Sequence, residues 1–314
     1  MVLLTACSAP DGDSGTSPDE ETFTIGIAAA KVANPAANLT YAGIKAEAER
    51  LGMEVRILDS NLDINKQVSD IDQLTASGAD AIFVHLVGDP NAVRSALQRA
   101  ADAGVLVNGI DGLPTLENVS VIADQSSVIM ATQAVEWVGE QLGGEGQVAC
   151  TGSIPIPVLE IRVATCEEVF REQFPNITVV PRVDALPDDA GGGRTVGEQL
   201  LVKYPDLDAI LSVTDIIGAG TAAAVNAADR DVLTTGLGAS PESVNSVKAG
   251  AMSMVLDPKS QEIGAAAVQQ VYDILTGKTA IPSETIVVDS EPDLYTKANI
   301  GEWIDPTTIV GVVS

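Results

Sequence analysis

Polar residues follow most of the strands that this sequence predicts, at the points where the strands end. They are Lys31, Asn34, His85, Asp89, Asp111, Ser153, Asp215 and Asp257. Carboxylates accept hydrogen bonds, while lysine and the asparagine amide donate them, so the set suits a small ligand rich in hydroxyl groups. Ligands of open parallel sheets bind outside the carboxyl ends of the strands. We therefore expect these side chains to surround one binding cleft.

The motifs of cofactor-dependent enzymes are absent from the sequence. No G-x-G-x-x-G follows the first predicted strand, and neither a Walker sequence nor H-E-x-x-H occurs. His85 is the single histidine and has no adjacent serine or cysteine nucleophile pattern. The glycine-rich "AGGGR" at 190–194 follows Pro187 without Walker spacing, and we interpret it as a flexible turn. The sequence favours a non-catalytic binding protein without metal or cofactor over a Rossmann-type enzyme.

The elements that position these residues repeat in two similar sets. The strands of the first set begin near Thr24, Glu54, Ala81 and Val105, and those of the second near Gln147, Ile177, Ala209 and Leu233. The stretches between them carry apolar residues at helical spacing, which is typical of helices that cover a parallel sheet. This pattern predicts two doubly wound α/β domains. A strand at 253–257, a long helix and a strand at 285–289 remain after the second set.

Composition limits the partners of the chain. Its 314 residues are enough for two domains of about 100–150 residues each. Lysine and arginine total 17 against 44 acidic residues, a net charge of −27. Such a charge repels nucleic acids and anionic membrane surfaces, so we expect no nucleic-acid partner. No run of apolar residues is long enough for a transmembrane helix.

The three cysteines point to an extracytoplasmic location. "LLTAC" resembles the bacterial lipobox, whose cysteine is lipidated, so Cys7 is a candidate membrane anchor; a chance cysteine in a disordered tail is the alternative. The serine-, glycine- and acid-rich stretch at 8–21 is typical of a linker. Cys150 is expected to end a strand and Cys166 to lie on the following helix. Outside the cytoplasm they form a disulfide or stay as two buried thiols.

Beyond residue 22 the chain resembles the type I periplasmic binding proteins of the ribose-binding family, the solute receptors of sugar-type ABC transporters. The resemblance rests on the order and spacing of several short stretches. They are "NP" at 34–35, "GIKAEAERLG" at 43–52, "DQLTASGADAI" at 72–82, "ALQRAADAGVLV" at 96–107, Asp111, "LLVKYPDLDAIL" at 200–211 and the "D-x-x-x-x-G" run at 215–220. Repressors of similar architecture carry an N-terminal helix-turn-helix, and here that position holds a linker.

The resemblance implies three crossings of the chain between the domains, near residues 124–125, 256–257 and 289. It predicts a first domain of residues 22–124 and 258–288 and a second of 125–257 and 289–314, after a tail at 1–21. Closure about such a hinge traps the ligand and presents the closed form to a membrane permease. We expect a monomer anchored outside the cytoplasmic membrane, with a small polar ligand and an ABC permease as partners.

The resemblance also assigns candidate ligand contacts to Asn34, Asp111, Arg162 and Asp215. The two aromatic positions of the family fall on Ala36 and Ala37, so a flat stacking wall is missing. The family's next ligand aspartate falls at Gly238 and its glutamine near Asp257, where the pattern is lost or altered. These departures favour an acyclic polyol or a compact sugar over a hexose.

Two further residues are candidates for the cleft. Lys31 resembles the lysine of the rhamnose-binding and autoinducer-2-binding branches, which leaves an autoinducer-2-type signal receptor as an alternative. His85 follows a strand end and is a candidate for the cleft wall. The structural alternatives are a solvated side chain for Lys31 and Arg162, a turn residue for Asp111 and an interior histidine for His85.

Overall fold

The computed structural model describes residues 22–111 and 119–313, which contain two sheets. The first sheet has the strand order β11-β5-β4-β3-β1-β2, with strands numbered along the chain, and all its pairs are parallel. Its strands are β1 (Thr24–Ala29), β2 (Glu54–Asp59), β3 (Ala81–His85), β4 (Leu106–Ile110), β5 (Val119–Ala123) and β11 (Ile286–Val288). The helices of this lobe are α1 (Pro35–Arg50), α2 (Ile64–Ala76), α3 (Pro90–Asp102) and α9 (Ser260–Leu275).

The second sheet repeats this arrangement in the order β12-β10-β9-β8-β6-β7. Its strands are β6 (Gly146–Thr151), β7 (Ile177–Val179), β8 (Ala209–Ser212), β9 (Leu233–Leu237), β10 (Met254–Asp257) and β12 (Asp293–Thr296), and β12 is antiparallel to β10. The accompanying helices are α4 (Ser127–Gln141), α5 (Pro157–Gln173), α6 (Ala190–Lys203), α7 (Asp215–Ala227) and α8 (Pro241–Ala249). A 3₁₀ turn at Ile300–Glu302 and the short α10 (Thr307–Val310) follow β12. The predicted fold class is confirmed.

Apolar side chains cover both faces of each sheet, as the continuous apolar strands require. In β3, Phe83 packs in a cluster with Tyr41 of α1 and Val271 of α9, while its neighbour Ile82 packs in a cluster with Ile71 of α2. Successive strand residues point to opposite faces, so one strand contributes to two cores. No helix in the described ranges is both long and apolar enough to span a membrane.

The glycine-rich stretch at 190–194 begins helix α6, so its interpretation as a flexible turn is wrong. Asp189 caps the helix, its side chain accepting the Gly192 N–H at 2.9 Å. A Cβ atom at Gly193 would overlap the backbone of Ile217, and one at Gly220 would overlap that of Ala190. The glycines therefore let α6 and α7 pack with their backbones close together.

Three connections join the lobes, and serine side chains link them to one another. The chain leaves the first sheet after β5, returns to it after β10 and leaves again after β11. Ser126 Oγ donates to the carbonyl of Ser290 at 3.0 Å, and Ser290 Oγ donates to that of Pro258 at 2.7 Å. The predicted domain boundaries at these connections stay our proposal.

The end of the chain departs from the predicted division, which placed residues 289–314 in the second domain. Val313 packs in the first lobe, where its N–H and carbonyl bond the side chain of Asn38 in α1 at 3.0 and 2.9 Å. Asn38 also donates to the carbonyl of Val32 at 2.8 Å. The buried amide thus holds the tail against α1, an interaction that its sequence position does not reveal.

Cys150 of β6 and Cys166 of α5 are joined by a disulfide, with their Cα atoms 6.2 Å apart. Both lie in the apolar cluster formed under α4 and α5. Cys7, the candidate lipidation site, lies outside the described residues.

Candidate ligand-binding cleft

A cleft of about 570 Å³, counted with its mouth, lies between the two lobes. The first lobe lines it with Asn34, Ala36, Ala37, His85 and Asp111, and the connection after β5 adds Gln125. The second lobe contributes Ile156, Val158, Leu159, Arg162, Asp188, Thr214, Asp215, Ile216 and Leu237. Five of the predicted ligand residues, Asn34, His85, Asp111, Arg162 and Asp215, therefore meet in one cleft, and their contact with ligand stays a prediction.

Asn34 begins α1 and faces the cleft. It has an extended backbone conformation, and its side-chain oxygen accepts the Ala37 N–H at 3.1 Å, as an N-cap residue does. Pro35 follows at the first helical position, where a missing N–H costs nothing. The side-chain NH₂ group of Asn34 remains as its hydrogen-bond donor for a ligand.

Tyr41, His85 and Asp111 form a buried polar chain along the first wall. The Tyr41 hydroxyl accepts the Ala30 N–H at 3.2 Å and lies 2.7 Å from His85 Nδ1. Because the hydroxyl already accepts from Ala30, we assign its proton to the bond with Nδ1. The imidazole proton then lies on Nε2, which is 3.6 Å from Asp111 Oδ2.

Burial shifts the pKa values of His85 and Asp111. It lowers the pKa of His85 to about 4, and the nearby Arg162 charge acts in the same direction. It raises the pKa of Asp111 to about 6, against the opposing effects of the Gln125 N–H and of Arg162. At neutral pH the first wall thus presents a neutral imidazole and an ionised carboxylate.

Backbone geometry turns Asp111 into the cleft. The residue has φ 52°, in the left-handed region that aspartate tolerates better than most residues. Its N–H bonds the carbonyl of Ala123 at 2.9 Å, and its Oδ1 accepts the Gln125 N–H at 2.9 Å. Oδ2 remains on the side of His85 and the cleft.

Arg162 of α5 is buried at the second wall without a salt bridge to any described residue. Its Nε donates to Ser127 Oγ at 3.1 Å, Nη1 to the carbonyl of Val213 at 3.0 Å and Nη2 to Gln125 Oε1 at 3.4 Å. Burial lowers its pKa, while the carboxylates of Asp111, Asp215 and Asp124 raise it. These neutral partners fix the guanidinium and leave further N–H groups for ligand oxygens.

Asp215 starts α7 behind Thr214, whose hydroxyl accepts the Ile217 N–H and so caps the helix. Asp215 Oδ2 accepts the Ser240 N–H at 2.7 Å and Ser243 Oγ at 2.8 Å. A Cβ atom at Gly238 would lie 2.8 Å from Oδ1. Glycine at 238 therefore makes room for the Asp215 carboxylate, which explains physically why no aspartate stands there.

Sequence reasoning missed two kinds of cleft residue. Asp188 lies in the loop before α6, where its Oδ1 accepts Ser153 Oγ at 2.6 Å, and no strand end marks it in the sequence. Gln125 was expected only at the first crossing of the chain between the domains, near residues 124–125. Ile156, Val158 and Leu159 give the second wall an aliphatic surface. The stretch "IPIPVL" at 154–159, to which they belong, has the composition of a buried segment.

Lys31 and Asp257, both predicted ligand residues, do not line this cleft. Lys31 lies in the turn before Asn34, and its carbonyl accepts the Asn34 N–H at 3.1 Å. Asp257 is engaged elsewhere, because its oxygens accept the Lys259 N–H at 2.9 Å and Trp303 Nε1 at 3.0 Å. Asp89 instead caps α3 by accepting the Asn91 N–H at 2.9 Å.

The cleft can hold a polar molecule by hydrogen bonds on one side and by aliphatic contact on the other. Its donors are the Asn34 amide, the His85 Nε2–H and Arg162, and its acceptors are three carboxylates. Within residues 22–111 and 119–313 no cluster of histidine, cysteine or acidic side chains is arranged to hold a metal ion.

Comparison with known proteins agrees with this fold. Residues 25–279 match the family model described as periplasmic binding protein domain. The ribose import binding protein of Bacillus subtilis is 29% identical over 289 residues, which cover 88% of this chain and 91% of that protein. The chain belongs to the periplasmic binding protein family, and its fold is that of the type I sugar-binding members.

Solved structures show the same likeness. An ABC sugar transporter subunit from Rhodobacter sphaeroides has a TM-score of 0.78 at 29% identity, with 88% of this chain and 99% of that chain covered. An ABC transporter solute binding protein from Agrobacterium vitis with bound allitol has a TM-score of 0.78 at 26% identity, with 90% and 97% covered.

Proposed function

We propose that this protein binds a small polyhydroxylated solute, a sugar or a polyol, in the cleft and delivers it to an ABC importer. The observation that carries the proposal is the meeting of Asp111 from one lobe and Arg162 from the other at one cleft, both hydrogen-bonded to Gln125. A carboxylate and a guanidinium that line one cleft are matched by vicinal hydroxyls, which both donate and accept.

The relatives support this choice of ligand class. The Bacillus protein is named for ribose import, and the Agrobacterium protein holds allitol, an acyclic polyol. The walls of the cleft contain aliphatic side chains where stacking rings would favour a flat sugar face. Because an unmet buried hydrogen-bonding group is costly, we expect steep discrimination between hydroxyl patterns.

The rest of the assignment concerns location and partners. The family is extracytoplasmic, and we propose that lipidated Cys7 anchors this chain to the membrane through the 8–21 linker. Closure of the monomeric protein about the three connections would present both lobes to a permease. An autoinducer-2-type receptor is less well supported, because Lys31, the residue that suggested it, does not line the cleft.

A thermal-shift screen tests the proposal. The panel contains pentoses, hexoses, acyclic polyols, inositols, sugar acids, nucleosides, nicotinamide cofactors and autoinducer-2. A solute at a hundredfold its Kd stabilises the protein by about 2.7 kcal/mol, which is a clear shift of the melting temperature. We expect such a shift with at least one sugar or polyol. A shift with a nucleoside or a cofactor and with no polyhydroxylated compound would contradict the proposal.

A matched pair of variants locates the site. Asp111→Asn replaces a cleft carboxylate by an amide of the same shape, and Asp206→Asn makes the same change at an exposed position of the second lobe. We expect Asp111→Asn to lose the shift and Asp206→Asn to keep it. An unchanged shift in Asp111→Asn would place binding outside this cleft.

A further inference from the structure

The charges that line the cleft do not balance. Three carboxylates, Asp111, Asp188 and Asp215, face it, and Arg162 is the single lysine or arginine among the residues that line it. No lysine or arginine occurs in residues 1–21 or 112–118, so every one of the 17 basic side chains lies in the described part of the chain. His85 is neutral at physiological pH, because burial lowers its pKa to about 4.

Each cleft carboxylate keeps one oxygen without a hydrogen bond from the described residues. The bonds to Asp215 both go to Oδ2, and the bond to Asp188 goes to Oδ1. Asp111 has Oδ1 bonded to Gln125, while Oδ2 has only His85 at 3.6 Å. The free oxygens are therefore arranged for donors that a ligand brings.

Arg162 compensates this negative charge only in part. Its hydrogen bonds go to neutral groups, and its charge acts on Asp111 and Asp215. Asp188 has no cationic partner among the described residues; its side-chain bond comes from the Ser153 hydroxyl. Asp215 is 1% exposed and Arg162 5% exposed, so the surroundings screen these two charges poorly, whereas Asp188 is half-buried.

We propose that the natural ligand is a polyhydroxylated amine, whose ammonium group pairs with Asp188 while its hydroxyls bind Asp111, Arg162 and Asp215. An ammonium group donates three hydrogen bonds and removes part of the excess negative charge that closure of the cleft would bury. A neutral polyol satisfies the oxygens without changing the charge, and a sugar acid adds to it. The net charge of −27 also favours a cationic ligand, because it attracts a cation towards the protein.

This inference rests on the proposed function and is tested with matched ligands. Titration calorimetry at pH 7 compares ribitol with 1-amino-1-deoxyribitol and with ribonate, and myo-inositol with an amino-deoxyinositol. We expect the amine of at least one pair to bind tenfold or more tightly than its neutral counterpart, and ribonate to bind more weakly than ribitol. A neutral member that binds as tightly as its amine in every pair that binds would overturn the inference and leave the proposed function standing. If no member of either pair binds and the wider screen finds no polyhydroxylated ligand, both fail.

The variant Asp188→Asn distinguishes the effect of the Asp188 charge on amine binding from its effect on the binding of neutral ligands. It keeps an oxygen for Ser153 and removes the negative charge, so the ratio of amine affinity to neutral affinity should fall at least fivefold. Asp206→Asn, the exposed control, should leave that ratio unchanged. An unchanged ratio in Asp188→Asn would overturn the assignment of the ammonium group to Asp188, and melting curves establish that each variant is folded.

Discussion

The two walls of the cleft are built on different principles. The first wall presents His85, which the Tyr41 hydroxyl holds at 2.7 Å, beside Asp111, which the Gln125 N–H holds at 2.9 Å. The second wall presents Arg162, Asp188 and Asp215 set among aliphatic side chains such as Ile216. Its polar groups are held from behind, by Ser127, Ser153 and Ser243, and do not bond one another.

This difference indicates a division of tasks between the lobes. Hydrogen bonds from Tyr41 and Gln125 fix the orientations of His85 and Asp111, so the first wall is suited to select a hydroxyl pattern. The second wall carries the buried cation and apolar surface, both of which gain most when the cleft closes and excludes water. The first lobe would therefore set specificity, and the second would supply much of the free energy of closure.

The largest expected effect comes from removing the buried cation of the second wall. Arg162→Met keeps the unbranched apolar stem of the side chain but leaves the carboxylates without a guanidinium, so a ligand loses charge-assisted hydrogen bonds. We expect the affinity for the best polyol of the screen to fall at least a hundredfold by calorimetry, about 2.7 kcal/mol. Arg171→Met, at an arginine that is 67% exposed, is the control. A loss of less than tenfold would show that Arg162 does not contact the ligand.

The second effect concerns the ionisation of the first wall. Asp111 has a pKa of about 6 because it is buried, and in our proposal the ligand hydroxyls donate to its ionised form. Affinity should therefore be constant above about pH 7 and fall towards tenfold per unit below pH 6. Asp111→Asn should bind weakly at every pH, without this dependence. A flat pH profile in the unmodified protein would contradict the role of Asp111 as an ionised acceptor.

A smaller effect is expected behind the first wall. Tyr41→Phe leaves the Ala30 N–H and His85 Nδ1 without their partner, so the proton of His85 is no longer fixed on Nε2. We expect about 1–3 kcal/mol lower stability and an affinity lower by about tenfold. The control is Tyr204→Phe in the second lobe, which removes a hydroxyl that has no hydrogen bond in the described residues. Equal affinities for the two variants would mean that the Tyr41 hydroxyl does not position His85.

The smallest effect is expected on the aliphatic surface of the second wall. Ile216→Val removes one methylene from a partly buried side chain, which is worth about 0.8 kcal/mol if the ligand or the opposite lobe covers it. The affinity should fall by no more than about fourfold, as measured by calorimetry. A loss as large as that of Arg162→Met would reverse the division of tasks between the two walls.

The sequence predicted the fold well because strand composition and helical spacing repeat along the chain. Strand ends and the family resemblance together identified Asn34, His85, Asp111, Arg162 and Asp215, since parallel strands end at one edge. Asp257 follows a strand in the same way, yet Trp303, distant in sequence, engages its carboxylate. Side-chain partners of that kind are set by tertiary packing and leave no local pattern.

Asp188 and the aliphatic wall were missed for a related reason. Asp188 is brought to the cleft by its loop and by Ser153, neither of which has periodicity. The residues of "IPIPVL" have the composition of a buried segment, and only the position of the other lobe makes their surface part of a cleft. The glycines of α6 were misread because they serve close packing of two helices instead of a turn.

The most direct test of the account is a distance measurement between the lobes. Spin labels at Ile281→Cys and Val202→Cys, which are 68% and 86% exposed and lie in different lobes, report the separation in a protein whose Cys7 is replaced by serine. Addition of the best ligand of the screen should shift the distance distribution and narrow it, and should have no such effect on Arg162→Met. An identical distribution with and without bound ligand would contradict closure of the two lobes around the solute.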